Sequence, residues 1–115
     1  MDCNQVVLCG RVAEIGAPRY TPAGVAILEF KVSHLSERLE GGMKRKVECE
    51  VSAMALADQA RAAASLKPGS PVRLTGFLAA RSRNSAQLVL HVNRIETEEE
   101  TNMAFFMKPK RILKD

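Results

Sequence analysis

The stretch Val72–Val92, VRLTGFLAARSRNSAQLVLHV, decides the fold of this 115-residue chain. Apolar residues recur with a spacing of two or four on both sides of the polar segment Arg81–Ser85. A period of two is typical of a half-buried β-strand, because successive side chains point to opposite faces of a sheet. The polar tip stays in contact with water, so the stretch predicts a long antiparallel hairpin. Arg81 and Arg83 give the tip two positive charges and no acidic residue, which favours contact with a polyanion.

Three more strands are predicted upstream, over Asn4–Ile15, Val25–His34 and Met43–Ala53, and connecting loops over 16–24 and 35–42. The spacing of Pro22 and Gly24 predicts a turn in the first of these loops. Alternation in the three strands gives the candidate core residues Val6, Leu8, Val12, Ala26, Leu28, Phe30, Val32, Val47, Cys49 and Val51. Gly10, and Gly76 within the hairpin, interrupt this alternation and predict a bulge or a sharp bend.

One helix is predicted over Met54–Leu66, which is rich in alanine and ends before Lys67-Pro68-Gly69. Leu56, Ala60 and Ala63 recur at helical spacing as its buried face. The resulting order is strand, strand, strand, helix, strand, strand. This order predicts a mainly β fold, the five-stranded OB barrel with a helix between its third and fourth strands.

The domain is expected to span residues 1–100, with an acidic exit over 93–100 and a short basic C-terminal tail over 101–115. The chain has a net charge of +4, which is compatible with a nucleic acid or an anionic surface as partner. Its three cysteines show no metal-binding spacing, so we expect no metal and no cofactor. Cys9 and Cys49 lie in predicted strands, where we expect them to be small apolar fillers in a reducing compartment. No signal peptide or membrane span is apparent, and we expect a cytoplasmic protein.

Three groups of residues fall where an OB barrel binds oligonucleotides, namely two loops and the face of the second and third strands. These candidates for nucleic-acid binding are Arg19, Tyr20, Met43, Lys44, Arg45, Lys46, Arg81 and Arg83. Two interpretations stay open for Tyr20, which either stacks on a base or packs on its own strand. The basic triplet at residues 44–46 is either a second basic finger or a charged edge that opposes aggregation.

The chain resembles the PriB family (primosomal replication protein N), relatives of bacterial single-stranded DNA-binding proteins, over about Asn4–Thr97. The resemblance is carried by N-x-V-x-L-x-G at residues 4–10, Thr21-Pro22-Ala23-Gly24, His34, Arg45, Cys49, Gly76-Phe77 and Leu90-His91. It implies an OB-fold homodimer without enzymatic activity or a small-molecule substrate. Such a dimer binds single-stranded DNA and bridges the PriA helicase and DnaT when stalled replication forks are restarted.

The resemblance also places Arg19, Arg45, Arg81 and Arg83 at positions where the family uses Lys or Arg against DNA. Met43 and Glu48 stand where relatives can carry aromatic residues. Because base stacking contributes about 1–3 kcal/mol per base, we expect binding dominated by phosphate contacts, with Tyr20 as the one obvious stacking residue.

The sequence also bears on several other functions. An enzyme is disfavoured, since the sequence has no P-loop, no metal-ligand spacing and no nucleophile–base arrangement. General single-stranded DNA-binding proteins typically end in an acidic, phenylalanine-tipped tail, whereas this chain ends KPKRILKD. A protein-interaction module is favoured by the missing aromatics and disfavoured by the basic clusters. An RNA-binding OB domain stays open, because stacking and phosphate contacts do not require a particular sugar.

Overall fold

A computed structural model of the chain describes residues 1–97, which form a closed barrel. The elements are β1 (Val6–Ile15), β2 (Arg19–Tyr20), β3 (Ala26–Glu40), β4 (Met43–Leu56), α1 (Asp58–Ala64), β5 (Pro71–Ala80) and β6 (Leu88–Thr97). The five long strands are hydrogen-bonded in the order β1-β5-β6-β4-β3, and β3 pairs back with β1 to close the ring. β2 adds a short pairing to β3. The predicted five-stranded OB barrel with one helix is confirmed.

The barrel interior is filled by alternate residues of the five long strands, as the period of two predicts. Leu28, Leu74 and Leu90 are fully buried, and Ala60 and Ala63 of α1 pack onto the same core. Burial of a leucine side chain stabilises a fold by roughly 1.5–3 kcal/mol. Burial of these side chains therefore supplies most of the free energy that stabilises the closed barrel.

Strand β1 belongs to both halves of the barrel, as its predicted bend implies. Val6–Arg11 pairs with β5, and Arg11–Ile15 pairs with β3. The bulge in the β1–β3 ladder lies between Val12 and Glu14, a few residues beyond Gly10.

The prediction of a loop over residues 35–42 is wrong. Strand β3 continues to Glu40, and only Gly41 and Gly42 form the connection to β4. Their φ angles of 60° and 81° suit the two-residue hairpin turns that require positive φ at both positions. The ladder between β1 and β3 ends at Ser33. Residues 34–40 and 43–49 therefore continue beyond it as a two-stranded ribbon, here called the β3–β4 ribbon.

The extended ribbon also corrects the predicted core. Cys49 is exposed and Val47 is only half-buried, because the part of the ribbon that carries them is not covered by the barrel. Cys9 is exposed as well, so the prediction that Cys9 and Cys49 are buried fillers is wrong.

The predicted helix begins too early. Residues 54–56 belong to β4, where Met54 pairs in parallel with His91 and in antiparallel with Glu29. Ladder hydrogen bonds on both sides outweigh the helix propensity of this alanine-rich segment. Leu56 is 37% exposed and is not a core residue, whereas Ala60 and Ala63 are buried as predicted.

The last strand does not leave the barrel at Asn93 but remains paired with β5 as far as Thr97. Arg73 holds it there with a two-pronged ion pair to Glu96, at 2.7 and 2.9 Å. The acidic run at 98–100 and the predicted basic tail at 101–115 lie outside the described residues. Within residues 1–97, no helix is long and apolar enough to cross a membrane.

His34 fastens β1 to the base of the ribbon, just beyond the last backbone pair between β1 and β3. Its Nδ1 lies 2.6 Å from the carbonyl oxygen of Cys9, and its Nε2 lies 2.8 Å from the hydroxyl of Ser36. A carbonyl oxygen only accepts hydrogen bonds, so Nδ1 donates to Cys9, and in the neutral imidazole Nε2 then accepts from Ser36. The imidazole therefore links β1 to β3 at a position where the backbone ladder between these strands has already ended.

Gly76 is required by a close backbone approach. A Cβ atom at this position would lie 1.9 Å from the carbonyl oxygen of His91. Gly76→Ala is therefore expected to lower the free energy of unfolding by about 1–3 kcal/mol, measured by urea denaturation. Gly16→Ala is the comparison with the smaller overlap and the smaller expected loss, because its Cβ would lie 3.0 Å from the carbonyl oxygen of Glu29. Equal losses from the two variants would contradict the steric explanation.

Replacement of His34 by alanine removes both of its hydrogen bonds. Because a net hydrogen bond contributes about 0.5–1.5 kcal/mol, His34→Ala should cost about 1–2 kcal/mol of unfolding free energy. Ser36→Ala removes only the second bond and should cost less. An unchanged denaturation midpoint for His34→Ala would show that the imidazole does not fasten the ribbon.

Candidate nucleic-acid interface

The candidate interface is built on the outer face of β3 and β4, the side that points away from the core. Directly opposite residues of an antiparallel pair share a face, and the β3–β4 register is unbroken from Ile27–Leu56 to Glu40–Met43. The face that carries Glu29 and Lys31 therefore continues along the ribbon to Lys44.

Glu29 joins the two loops that the sequence predicts to bind DNA. Arg81 donates from Nη1 to Oε1 of Glu29 at 3.1 Å, and Arg19 donates from Nη2 to Oε2. The two arginines lie 10 and 52 positions from Glu29 in the sequence. The closed barrel brings them together, and the resulting cluster has one net positive charge.

Local structure holds each arginine in place. Arg19 lies in β2, where it pairs with Ile27, and the predicted turn follows it, with Gly24 donating to the carbonyl of Thr21 at 2.8 Å. The backbone N–H of Arg81 donates to the carbonyl of Gln87 at 2.8 Å, which closes the hairpin tip. Both guanidinium groups are thus presented by ordered backbone.

The charge state of Glu29 follows from these neighbours. Partial burial opposes its ionisation, but hydrogen bonds and positive charge from Arg81 and Arg19 outweigh burial and hold the pKa of the carboxyl below its ordinary value. The carboxylate is therefore ionised at neutral pH. Glu29 acts as the counter-ion of both loop arginines.

An open cleft of about 540 Å³ adjoins this cluster at the junction of β1, β3 and the hairpin tip. Its wall includes Glu14, Glu29, Lys31, Ser52, Pro68 and Arg81. Lys31 pairs with Glu14 at 3.6 Å, which leaves the cleft with charges of both signs. The residues that line it offer hydrogen-bond donors and acceptors to a polar, charged ligand.

The basic triplet at the start of β4 is divided between two faces. Lys44 and Lys46 lie on the outer face, and neither makes an ion pair within residues 1–97. Arg45 and Met43 lie on the opposite face, where Arg45 pairs with Glu40 at 2.9 Å. Only the two lysines therefore share a face with the Glu29 cluster.

The two remaining predicted site residues, Tyr20 and Arg83, are both exposed. Tyr20 is 69% exposed, but its register opposite Ala26 places it on the other face of the β2–β3 pair from Arg19. Arg83 is exposed within the hairpin tip, where Ser85 donates to the carbonyl of Ser82 at 3.1 Å. Arg19 and Arg81 thus form a cluster, Lys44 and Lys46 share its face, and Tyr20 does not.

The binding residues predicted from the sequence include no acidic residue, although the outer face carries several. Glu37, Glu48 and Glu50 share the outer face with the three lysines at 31, 44 and 46, so the sheet itself is not strongly basic. Alternation already placed Glu29 on the outer face, but its two arginine partners could not be read from local sequence. The positive charge that is available to a polyanion is therefore concentrated at Arg19 and in the hairpin tip.

Comparison with known proteins agrees with this architecture. A family model described as "another single-strand binding protein family" matches residues 4–94. The replication restart protein PriB of Nitrosomonas europaea is 47% identical over 89 residues, which cover 77% of this chain and 82% of that protein. PriB of Bordetella pertussis is 41% identical over 91 residues, 79% of this chain and 85% of its own.

Solved structures give the same result. PriB of Ralstonia solanacearum superimposes with a TM-score of 0.76 at 30% identity, covering 84% of this chain and 98% of that one. The single-stranded DNA-binding protein of Thermus aquaticus shares the fold, with a TM-score of 0.69 at 24% identity over 83% of this chain and 50% of its own. On the strength of its sequence relatives and its barrel, the chain belongs to the PriB family.

Proposed function

We propose that this protein is a single-stranded DNA-binding accessory protein of replication restart. In this role it stabilises the PriA helicase on DNA and helps to recruit DnaT, so that the replicative helicase is reloaded at a stalled fork. It performs no chemistry itself, and it acts in the bacterial cytoplasm as a homodimer. Membership of the PriB family supports this role.

The observation that carries the proposal is the convergence of Arg19 and Arg81 beside the outer cleft. Two guanidinium groups, one from β2 and one from the hairpin tip, lie next to an open groove and suit the phosphates of a flexible strand. Lys44 and Lys46 extend this path along the ribbon. Because Tyr20 points to the other face, we propose that phosphate contacts supply most of the affinity.

A second candidate is a protein-interaction module. The mixed charge of the outer face favours it, as do Leu35, Leu39 and Met43, which are exposed on the ribbon. Exposed apolar residues on a projecting ribbon suit a protein surface as partner. A DNA-binding measurement separates the two candidates.

The proposal predicts salt-sensitive binding to single-stranded DNA. We expect binding in fluorescence anisotropy to a labelled strand of about 30 nucleotides, longer than the roughly 4–16 that one OB domain covers. Each phosphate contact contributes about 0.7 to the slope of log affinity against log salt for single strands, so Arg81→Ala/Arg83→Ala should reduce the slope by up to about 1.4. Duplex DNA and the matching RNA strand are measured in parallel.

Arg61→Ala/Arg94→Ala is the matched control, because it removes two exposed arginines of α1 and β6 from outside the predicted site. Equal weakening of DNA binding by both double variants would show that the hairpin tip contributes only general positive charge. Equal affinity for the duplex would contradict a single-strand function. No binding at low salt would favour the protein-interaction module.

Apolar exposure on the outer face of β1 and β5 supports the homodimer. Val7 is 58% exposed and Phe77 is 41% exposed, and Phe77 stacks on His91 with ring centroids 5.2 Å apart. Large apolar side chains that reach solvent on neighbouring strands are typical of a surface that a partner covers. We propose that a second copy of the chain covers this one.

The dimer is tested by light scattering on micromolar protein. The expected mass is twice the chain mass of 12.6 kDa. Val7→Glu should shift the mass towards the monomer, because a carboxylate loses its hydration in an apolar contact. Leu39→Glu makes the same change on the exposed ribbon and should leave the mass unchanged. A monomeric wild-type chain would refute the dimer without affecting the DNA-binding proposal.

A further inference from the structure

We propose that Glu29 is a built-in competitor of the DNA phosphates, which occupies Arg19 and Arg81 until a strand displaces it. This inference rests on the proposed function, since it concerns how tightly that site holds single-stranded DNA. It assigns to an acidic residue the control of affinity at a basic site.

Geometry makes Glu29 a direct competitor. Its two carboxylate oxygens each take one guanidinium group, Oε1 from Arg81 and Oε2 from Arg19. A phosphate presents similar pairs of oxygens and would seek the same donors. With the carboxylate in place, the pair of arginines offers one net positive charge rather than two.

Exposure makes the exchange feasible. The side chains of Glu29, Arg19 and Arg81 are 29%, 55% and 35% exposed. Ion pairs that remain in contact with water contribute little to stability and break readily. A phosphate can therefore replace Glu29 at the arginines without unfolding either loop.

The position of Glu29 keeps its charge relevant after exchange. The residue lies in the wall of the open cleft, and its backbone is fixed near the start of β3 by pairing with Met54. Because the backbone is held there, the negative charge of the displaced carboxylate stays near the cleft and opposes a nearby phosphate. Removal of that charge should strengthen binding even where the arginines have turned to the DNA.

The test replaces Glu29 by glutamine, which keeps its shape and removes its charge. Glu29→Gln should bind the labelled strand about three- to tenfold more tightly at low salt, the scale of one screened like-charge contact. The salt slope should also steepen, by up to about 0.7, because the cluster gains one net positive charge. The added substitutions Arg19→Ala and Arg81→Ala should reduce this gain, because no guanidinium group is then left for Glu29 to occupy; an undiminished gain would refute the competition.

Glu96→Gln is the matched control, because Glu96 also binds two arginines, Arg73 and Arg94, but on the β5–β6 ladder. Equal gains in affinity for Glu29→Gln and Glu96→Gln would refute the proposal, because they would show that only the net charge of the protein matters. Weaker binding by Glu29→Gln, with an unchanged thermal midpoint, would refute it in favour of a positioning role for the carboxylate. Absence of binding by the wild-type chain would instead refute the proposed function.

Discussion

Barrel closure through β1 is the constraint on which the rest of this structure depends. One strand must pair with β5 over its first half and with β3 over its second half. At Gly10 and Gly76 a side chain would collide with the backbone of a neighbouring strand, at Ser33 and His91 respectively. Glycine therefore allows the approach that closes the ring. Once it is closed, the loop before β3 and the tip between β5 and β6 lie at the same outer cleft.

The electrostatics of that cleft follow from closure rather than from composition. A net charge of +4 suggests a basic surface, yet the outer face of β3 and β4 mixes lysines with glutamates. Positive charge is held in the loops, where Glu29 partly neutralises it. A site of this kind binds a polyanion by exchange of one anionic partner for another. Its affinity is therefore set by the counter-ion as well as by the arginines.

The β3–β4 ribbon shows how a small turn rearranges a predicted site. Because Gly41 and Gly42 alone connect the strands, pairing continues to the tip and fixes the face of every residue. A flexible loop could have presented residues 44–46 together. In the ribbon, alternation sends Lys44 and Lys46 to the outer face and Arg45 to the other. Residues that are adjacent in sequence therefore lie on opposite faces of the ribbon.

Sequence alone determined the barrel, because the alternation of apolar residues, the positions of the glycines and the order of the elements are all read along the chain and do not depend on contacts between distant residues. The Thr21–Gly24 turn and the polar hairpin tip were predictable for the same reason. Tertiary structure decided where β3 and β4 end and where the helix begins, since ladder hydrogen bonds with distant strands outweigh the propensity of residues 54–56. It also decided the partner of each arginine. Glu29 meets Arg81 across 52 positions of sequence, and only the closed barrel makes that distance short.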